Sequence, residues 1–149
     1  MNEHLATAQP VTIGWAEHVV LHGTGLPPID AKMDTGAASS SLHATGIQEI
    51  EDGRVRFTAH PTADHTDAVI LERPIHDRRT VRSSTGHTTD RIVILLDLEL
   101  AGRTITAETT LADRGTMTMR MLIGRNALQQ GFLVDAGRSH VHGPAGIRA

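Results

Sequence analysis

The chain of 149 residues contains no cysteine. That excludes disulfides, thiolate metal sites and cysteine nucleophiles. Aromatic residues are scarce: Trp15, Phe57 and Phe132 are the only ones, so the core must be built from Val, Ile, Leu, Ala and Met. No apolar run approaches the roughly 20 residues that span a bilayer. The first ten residues mix polar and small apolar side chains without the basic-then-apolar order of a signal peptide, and a cytoplasmic location is expected. Lys32 is the only lysine, and the net charge of -3 gives no argument for nucleic acid. There is no Gly-rich phosphate loop ending in Gly-Lys-Ser/Thr, no His-Glu-x-x-His pair and no Gly-x-Ser-x-Gly elbow. What remains, with 39% apolar and 21% charged residues, is an ordinary soluble composition with enough chain for one real core.

Turn signals recur at short intervals, among them Gly23-Thr24-Gly25, Pro27-Pro28, Asp52-Gly53, Ser84-Thr85-Gly86 and Ala101-Gly102. Between them lie β-type runs at Val11 to Trp15, His18 to Leu21, Ile29 to Met33, Arg54 to Ala59, Ala68 to Glu72, Arg91 to Leu100 and Thr104 to Leu111. This spacing predicts an all-β barrel or sandwich. One stretch, Arg125 to Gln130 closed by Gly131, reads as a short helix, and Leu133-Val134-Asp135 resumes a strand. The expected organisation is a disordered N-terminal tail over 1–10, a single domain over 11–142 and a C-terminal tail over 143–149.

The sharpest local feature is the run from Ile29 through Lys32 and Met33 to Asp34-Thr35-Gly36-Ala37, which delivers an acid from a strand onto a turn of small residues. Gly36 is expected to take a backbone conformation closed to larger residues. Thr35 offers a hydroxyl to lock the turn, and Ala37, Ala38 and Ser39 leave room beside the carboxylate. Such a tripeptide alone often only makes a turn. A second segment, Met121-Leu122-Ile123-Gly124-Arg125-Asn126-Ala127-Leu128, lies about 90 residues downstream, where an apolar strand ends on Gly-Arg-Asn and enters the helix.

Together the two segments resemble the retroviral-type aspartic proteases, which pair an Asp-Thr-Gly-Ala loop with an apolar strand, Gly-Arg-Asn/Asp and a short helix. The resemblance implies a closed retropepsin-like barrel with one short C-terminal helix. It implies Asp34, Thr35 and Gly36 as the catalytic loop, and Ala37, Gly124, Arg125 and Asn126 as its support at a dimer interface. A narrower likeness, carried by Ile13-Gly14-Trp15, Lys32 to Ala37, Ser41-Leu42-His43-Ala44 and Met121 to Arg125, covers about 13–142. It is to a bacterial family often labelled ATP-dependent zinc proteases, some members of which are associated with an ATP-grasp ligase that adds glutamates to a ribosomal protein. That implies a peptide or protein substrate, with a glutamate-tailed ribosomal protein and the ligase as candidate partners. No nucleic acid, membrane or cofactor is expected.

Peptide hydrolysis of this type needs two carboxyls sharing one proton around a water. Only one Asp-Thr-Gly is present, so the second Asp34 is expected from another copy in a symmetric homodimer; Asp97, Asp113 and Asp135 stay open as acids within the chain. Lys32, two residues from Asp34 on one strand face, is expected to modulate its ionisation. The stretch from His76 to Arg91 reads as a hairpin with Gly86 at its tip. In the resemblance it is a flap over substrate, with Arg78, Arg79, Arg82 and Arg91 suited to acidic peptide. Ten histidines keep a metal reading in view. His43 with Asp34 would serve a zinc hydrolase, and His140-x-His142 has a spacing that puts both rings on one face of a strand. A barrel that binds peptide without cleaving it is the third reading.

Overall fold

A computed structural model describes residues 9–62, 67–82, 85–113 and 119–143. The strands are β1 (Val11–Gly14), β2 (Ala16–Leu21), β3 (Ile29–Met33), β4 (Ser40–Ile50), β5 (Arg54–Ala59), β6 (Val69–Pro74), β7 (Asp77–Arg82), β8 (Thr88–Leu100), β9 (Arg103–Ala112), β10 (Met121–Ile123) and β11 (Phe132–Asp135). Among the described residues they are interrupted by a short α-helix, α1 (Arg125–Leu128), and by one turn of 3-10 helix at Glu51–Gly53. The expected all-β class with a short helix near the C-terminus is what the described residues have. Residues 1–8 and 144–149, most of the two expected tails, lie outside the described residues.

β1 and β11 form a separate parallel pair. In the large sheet β10 hydrogen-bonds both β3 and β4. The pairings therefore run β10–β3–β2–β8–β9–β4 and return to β10, while β5 and β6 continue from β4 and β7 adds to β8. The predicted hairpin at Ala101-Gly102 is a two-residue connection between β8 and β9 with φ of 53° and 80°, the twist-matched geometry of a tight hairpin.

The core follows the composition. Ile13, Val19, Ile29, Leu42, Ile94, Leu98, Met121 and Ile123 are inaccessible to solvent, as is Phe57 on β5. Alternation places them: on β3 the buried Ile29, Ala31 and Met33 alternate with Asp30 and Lys32 on the other face.

Two strands escaped the sequence pattern. β4 opens with five consecutive buried residues, Ser40 to Ala44, and then runs exposed. It shows no period-two signal, and its serines imitate a loop. Gly46, at φ 59°, sits where the β4–β5 register shifts between Thr45 and Gln48, a bulge that turns the strand from one sheet into the next. β7 is polar because it is an edge strand on β8. The helix is also shorter than expected: it ends at Leu128, and residues 129–131 form a turn.

Candidate active site

β3 ends at Met33, and Asp34 begins the turn that follows. The Asp34 N–H donates to Ile123 O of β10 at 2.8 Å, and Ala37 N–H closes the turn on Asp34 O at 3.2 Å. The half-buried carboxylate accepts the Gly36 N–H on Oδ1 at 3.0 Å. The reason for glycine at 36 differs from the expected one. Gly36 is not in the left-handed region, but a Cβ there would lie 3.3 Å from Asp34 Oδ1, against the atom the turn must leave open.

The second segment closes on this turn from below. Arg125 N–H donates to Ala37 O at 2.8 Å and Asn126 N–H to Ala38 O at 3.0 Å, so the first turn of α1 spends its free donors on the loop. Gly124 N–H donates to the buried Ser40 Oγ at 3.1 Å. A Cβ on Gly124 would lie 2.5 Å from the Ser39 carbonyl carbon and 3.0 Å from Ala37 O, so only glycine fits. Arg125 Nη1 donates to Thr35 O at 3.0 Å across 90 residues of sequence. The structure thus brings Asp34, Thr35, Gly36, Ala37, Gly124, Arg125 and Asn126 into one unit. The Thr35 side chain is exposed beside it.

Other expected members stand differently. Lys32 is exposed, opposite Ala16 on β2, and makes no ion pair among the described residues. Asp97 accepts from Thr106 Oγ1 at 2.6 Å, and Asp135 from Gly137 N–H at 2.9 Å. Asp113 is exposed, 3.8 Å from His43 Nδ1. Each of the three is thus engaged at another part of the fold.

The hairpin from β7 to β8 is present, with Arg82 opposite Thr88 and Gly86 at φ +88° in the connection; 83–84 lie outside the described residues. Two of its arginines are spent on the chain's own acids. Arg78 grips Glu49 with both terminal nitrogens, each at 2.7 Å. Arg79 donates to Ser39 Oγ at 2.7 Å, to Asp77 at 2.9 Å and to Glu108. These bonds hold the Glu49 and Glu108 carboxyls below the usual range, Arg78 acting on the first and Arg79 on the second. Between the hairpin and the Asp34 loop lies a cavity of about 390 Å³, walled by Ala37, Ala38 and Ser39 on one side and by Thr80, Val81 and Arg91 on the other.

His43 is buried on β4, its N–H bonded to Arg120 O at 2.8 Å and its ring 5.3 Å from that of His60. None of these contacts reaches Asp34. Burial first, then the charge of Arg120, lowers its pKa below the ordinary 6.5. An unfolded chain therefore takes this proton first as pH falls, and the stability present above about 6.5 is lost below it. Chemical denaturation at pH 7.5 and 5.5 is expected to show a lower midpoint at 5.5, and His43→Gln to reduce that difference. An equal difference in the variant would remove His43 from the account.

The histidines near the C-terminus depart from expectation. Residues 139–142 are irregular backbone passing into a turn at 141–142 and not a strand, with His140 at φ 51°, so the two rings go separate ways. His140 Nε2 meets Asp30 Oδ1 at 2.7 Å, whereas His142 Nε2 meets Thr12 O at 2.9 Å. Buried Glu17 fastens this turn by accepting the N–H groups of Gly14, Val141 and His142. His18, Asp30 and His140 group their potential ligand atoms within 4.8 Å; neither His43 nor Asp34 belongs to that group.

An all-β fold whose Asp-Thr-Gly turn is clamped from below by a Gly-Arg-Asn segment is of the retropepsin class. The chain belongs to the RimB-like family, whose model, described as retropepsin-like aspartic endopeptidase RimB, matches residues 12–145. It is 40% identical over 134 residues to a protein of Parasynechococcus marenigrum named "Probable alpha-L-glutamate ligase", covering 87% of this chain and 29% of that one. A protein of the same name from Desulfotalea psychrophila is 37% identical over 127 residues, with 83% and 27% covered. The chain thus spans less than a third of these curated relatives. A crystal structure of a Legionella pneumophila protein of unknown function matches with a TM-score of 0.73 at 29% identity, over 88% of this chain and 97% of that one. Among the described residues no helix is long and apolar enough to cross a membrane.

Proposed function

We propose that the chain is an aspartic-type endopeptidase that works as a symmetric homodimer, with Asp34 of each copy facing the other across one water. The observation that carries this reading is the clamp: the half-buried carboxylate of Asp34 stands on a turn fixed by Ile123, Gly124 and Arg125. Such fixing is what a reacting group needs and what an ordinary turn does not. We read the returning ring of strand pairings as a closed retropepsin-like barrel, and the exposed Thr35 and Arg125 as part of the surface that meets the second copy.

Two carboxyls that close cannot both ionise, so one proton is shared. The ionised Asp34 removes a proton from water as its oxygen attacks the peptide carbonyl carbon. The protonated one donates to the carbonyl oxygen. Collapse of the tetrahedral intermediate breaks the C–N bond, with a proton delivered to the leaving nitrogen, leaving one new carboxylic acid and one amine.

The substrate we favour is an acidic peptide such as a glutamate tail. The support is that relatives carry this sequence within proteins named as glutamate ligases, so formation and removal of the same bonds would be linked. We infer a glutamate-tailed protein as substrate and a ligase as functional partner. Incubation of the purified chain with a protein bearing an oligoglutamate extension is expected to shorten the extension, with chelator present and absent alike. Activity abolished by chelator would favour a metallohydrolase, and tight binding without shortening would favour a non-catalytic barrel.

A further inference from the structure

We propose that Arg91 and Ser41 form a subsite for one substrate carboxylate in the cavity between the catalytic loop and the hairpin. The inference rests on the peptidase reading for its purpose, though not for its chemistry. Arg91 on β8 lies directly across from Arg79 on β7. Two guanidinium groups side by side repel unless acids intervene. Asp77 and Glu108 both attach to Arg79. Arg91 has no ion pair among the described residues, and its Nε is buried without a hydrogen-bond partner.

The other wall of the cavity repeats the pattern. Ser41 is 4% exposed, and its Oγ is buried with no partner either. Both residues line the same cavity, which is otherwise mostly Ala37, Ala38, Val81, Leu122 and the tied-down Ser39, Arg79, Thr80 and Thr110. Buried donors without partners are costly, and two in one cavity are a site waiting for an acceptor. A cation, a hydroxyl and a small apolar chamber suit an anion at the end of a short aliphatic stem. A glutamate side chain fits that description, and its carboxylate can take charge-assisted bonds from Arg91 and one from Ser41. Ala37 to Ser39, which wall the cavity, continue directly from the Asp34 turn, so the subsite would take a side chain near the bond to be cut.

The consequence is a division of labour among the arginines. Arg78 and Arg79 hold the hairpin to the body of the domain through Glu49 and Glu108, whereas Arg91 reads the substrate. The hairpin thus contributes to specificity through its base.

The test uses the Asp34→Asn chain, expected to bind without turnover, and two fluorescent peptides, oligoglutamate and the isosteric oligoglutamine. Binding of the glutamate peptide is expected to be about 10- to 100-fold tighter, as for a charge-assisted pair in a partly buried site. Adding Arg91→Met is expected to remove most of that preference, and Arg91→Lys to keep part of it. Ser41→Ala should reduce it by a smaller factor. A folded Arg91→Met protein with an unchanged preference would overturn the subsite. If the wild-type chain still hydrolyses peptide through Asp34 in that case, the peptidase reading stands alone. If Arg91 governs glutamate binding and no peptide is hydrolysed, the subsite stands and the peptidase reading fails.

Discussion

Asp34→Asn is expected to abolish peptide hydrolysis, by about a thousandfold or more, while leaving the fold unchanged. The magnitude follows from removing the group that takes the water's proton, a contribution of roughly 10²–10⁴ by itself. The side chain is isosteric, and an amide oxygen can still accept the Gly36 N–H that Asp34 Oδ1 now accepts. Nothing in the backbone clamp needs the charge, since Ile123 O, Ala37 N and the Gly36 N–H engage atoms that asparagine retains. Thermal unfolding of the variant should therefore coincide with wild type to within a degree or two. Residual turnover within tenfold of wild type would remove Asp34 from the mechanism.

Gly124→Ala is expected to cost about 3 kcal/mol of stability, with a fall in Tm of roughly 6–12 °C. The neighbour of the added methyl is backbone: the Ser39 carbonyl carbon at 2.5 Å and Ala37 O at 3.0 Å. A flexible side chain could swing away, but these atoms belong to the segment that carries on from the Asp34 turn. Relief of the clash must push 37–39 off α1, loosening the bonds from Arg125 and Asn126 to Ala37 and Ala38. Activity should fall with stability, because a displacement near 1 Å at a reacting group costs about a hundredfold. Gly137→Ala is the control: a Cβ there meets only Asp135 Oδ1 at 3.4 Å, and its loss should stay small. Equal stability for the two variants would show that the clamp is not rigid.

Much of this was legible in the sequence because the signals were local. The turn after β3 is announced by small residues behind an acid, the β8–β9 hairpin by Ala101-Gly102, and the second segment by an apolar run ending on glycine. What joins Gly124 to Ser39 is a contact across the fold, visible in sequence only through likeness to a family. β4 was hidden because it passes from the core to an exposed edge and so never alternates. The arginines show a different limit. Arg78, Arg79, Arg82 and Arg91 were read as substrate-facing from their charge and the flap likeness, whereas the partners of the first two, Glu49 and Glu108, come from β4 and β9. Arg91, read with them, has no ion pair among the described residues, a difference that charge alone does not reveal. His140 and His142 show how a spacing argument fails when the segment is a turn.

The central claim is that one active site needs an Asp34 from each of two copies. Wild-type and Asp34→Asn chains can be mixed in known proportions, unfolded together, refolded and assayed at constant total protein. If every site takes one carboxylate from each copy, activity follows the square of the wild-type fraction, and an equal mixture retains about a quarter of full activity. Activity in direct proportion to the wild-type fraction, with about half retained in the equal mixture, would mean that each chain carries a complete site and would contradict the account.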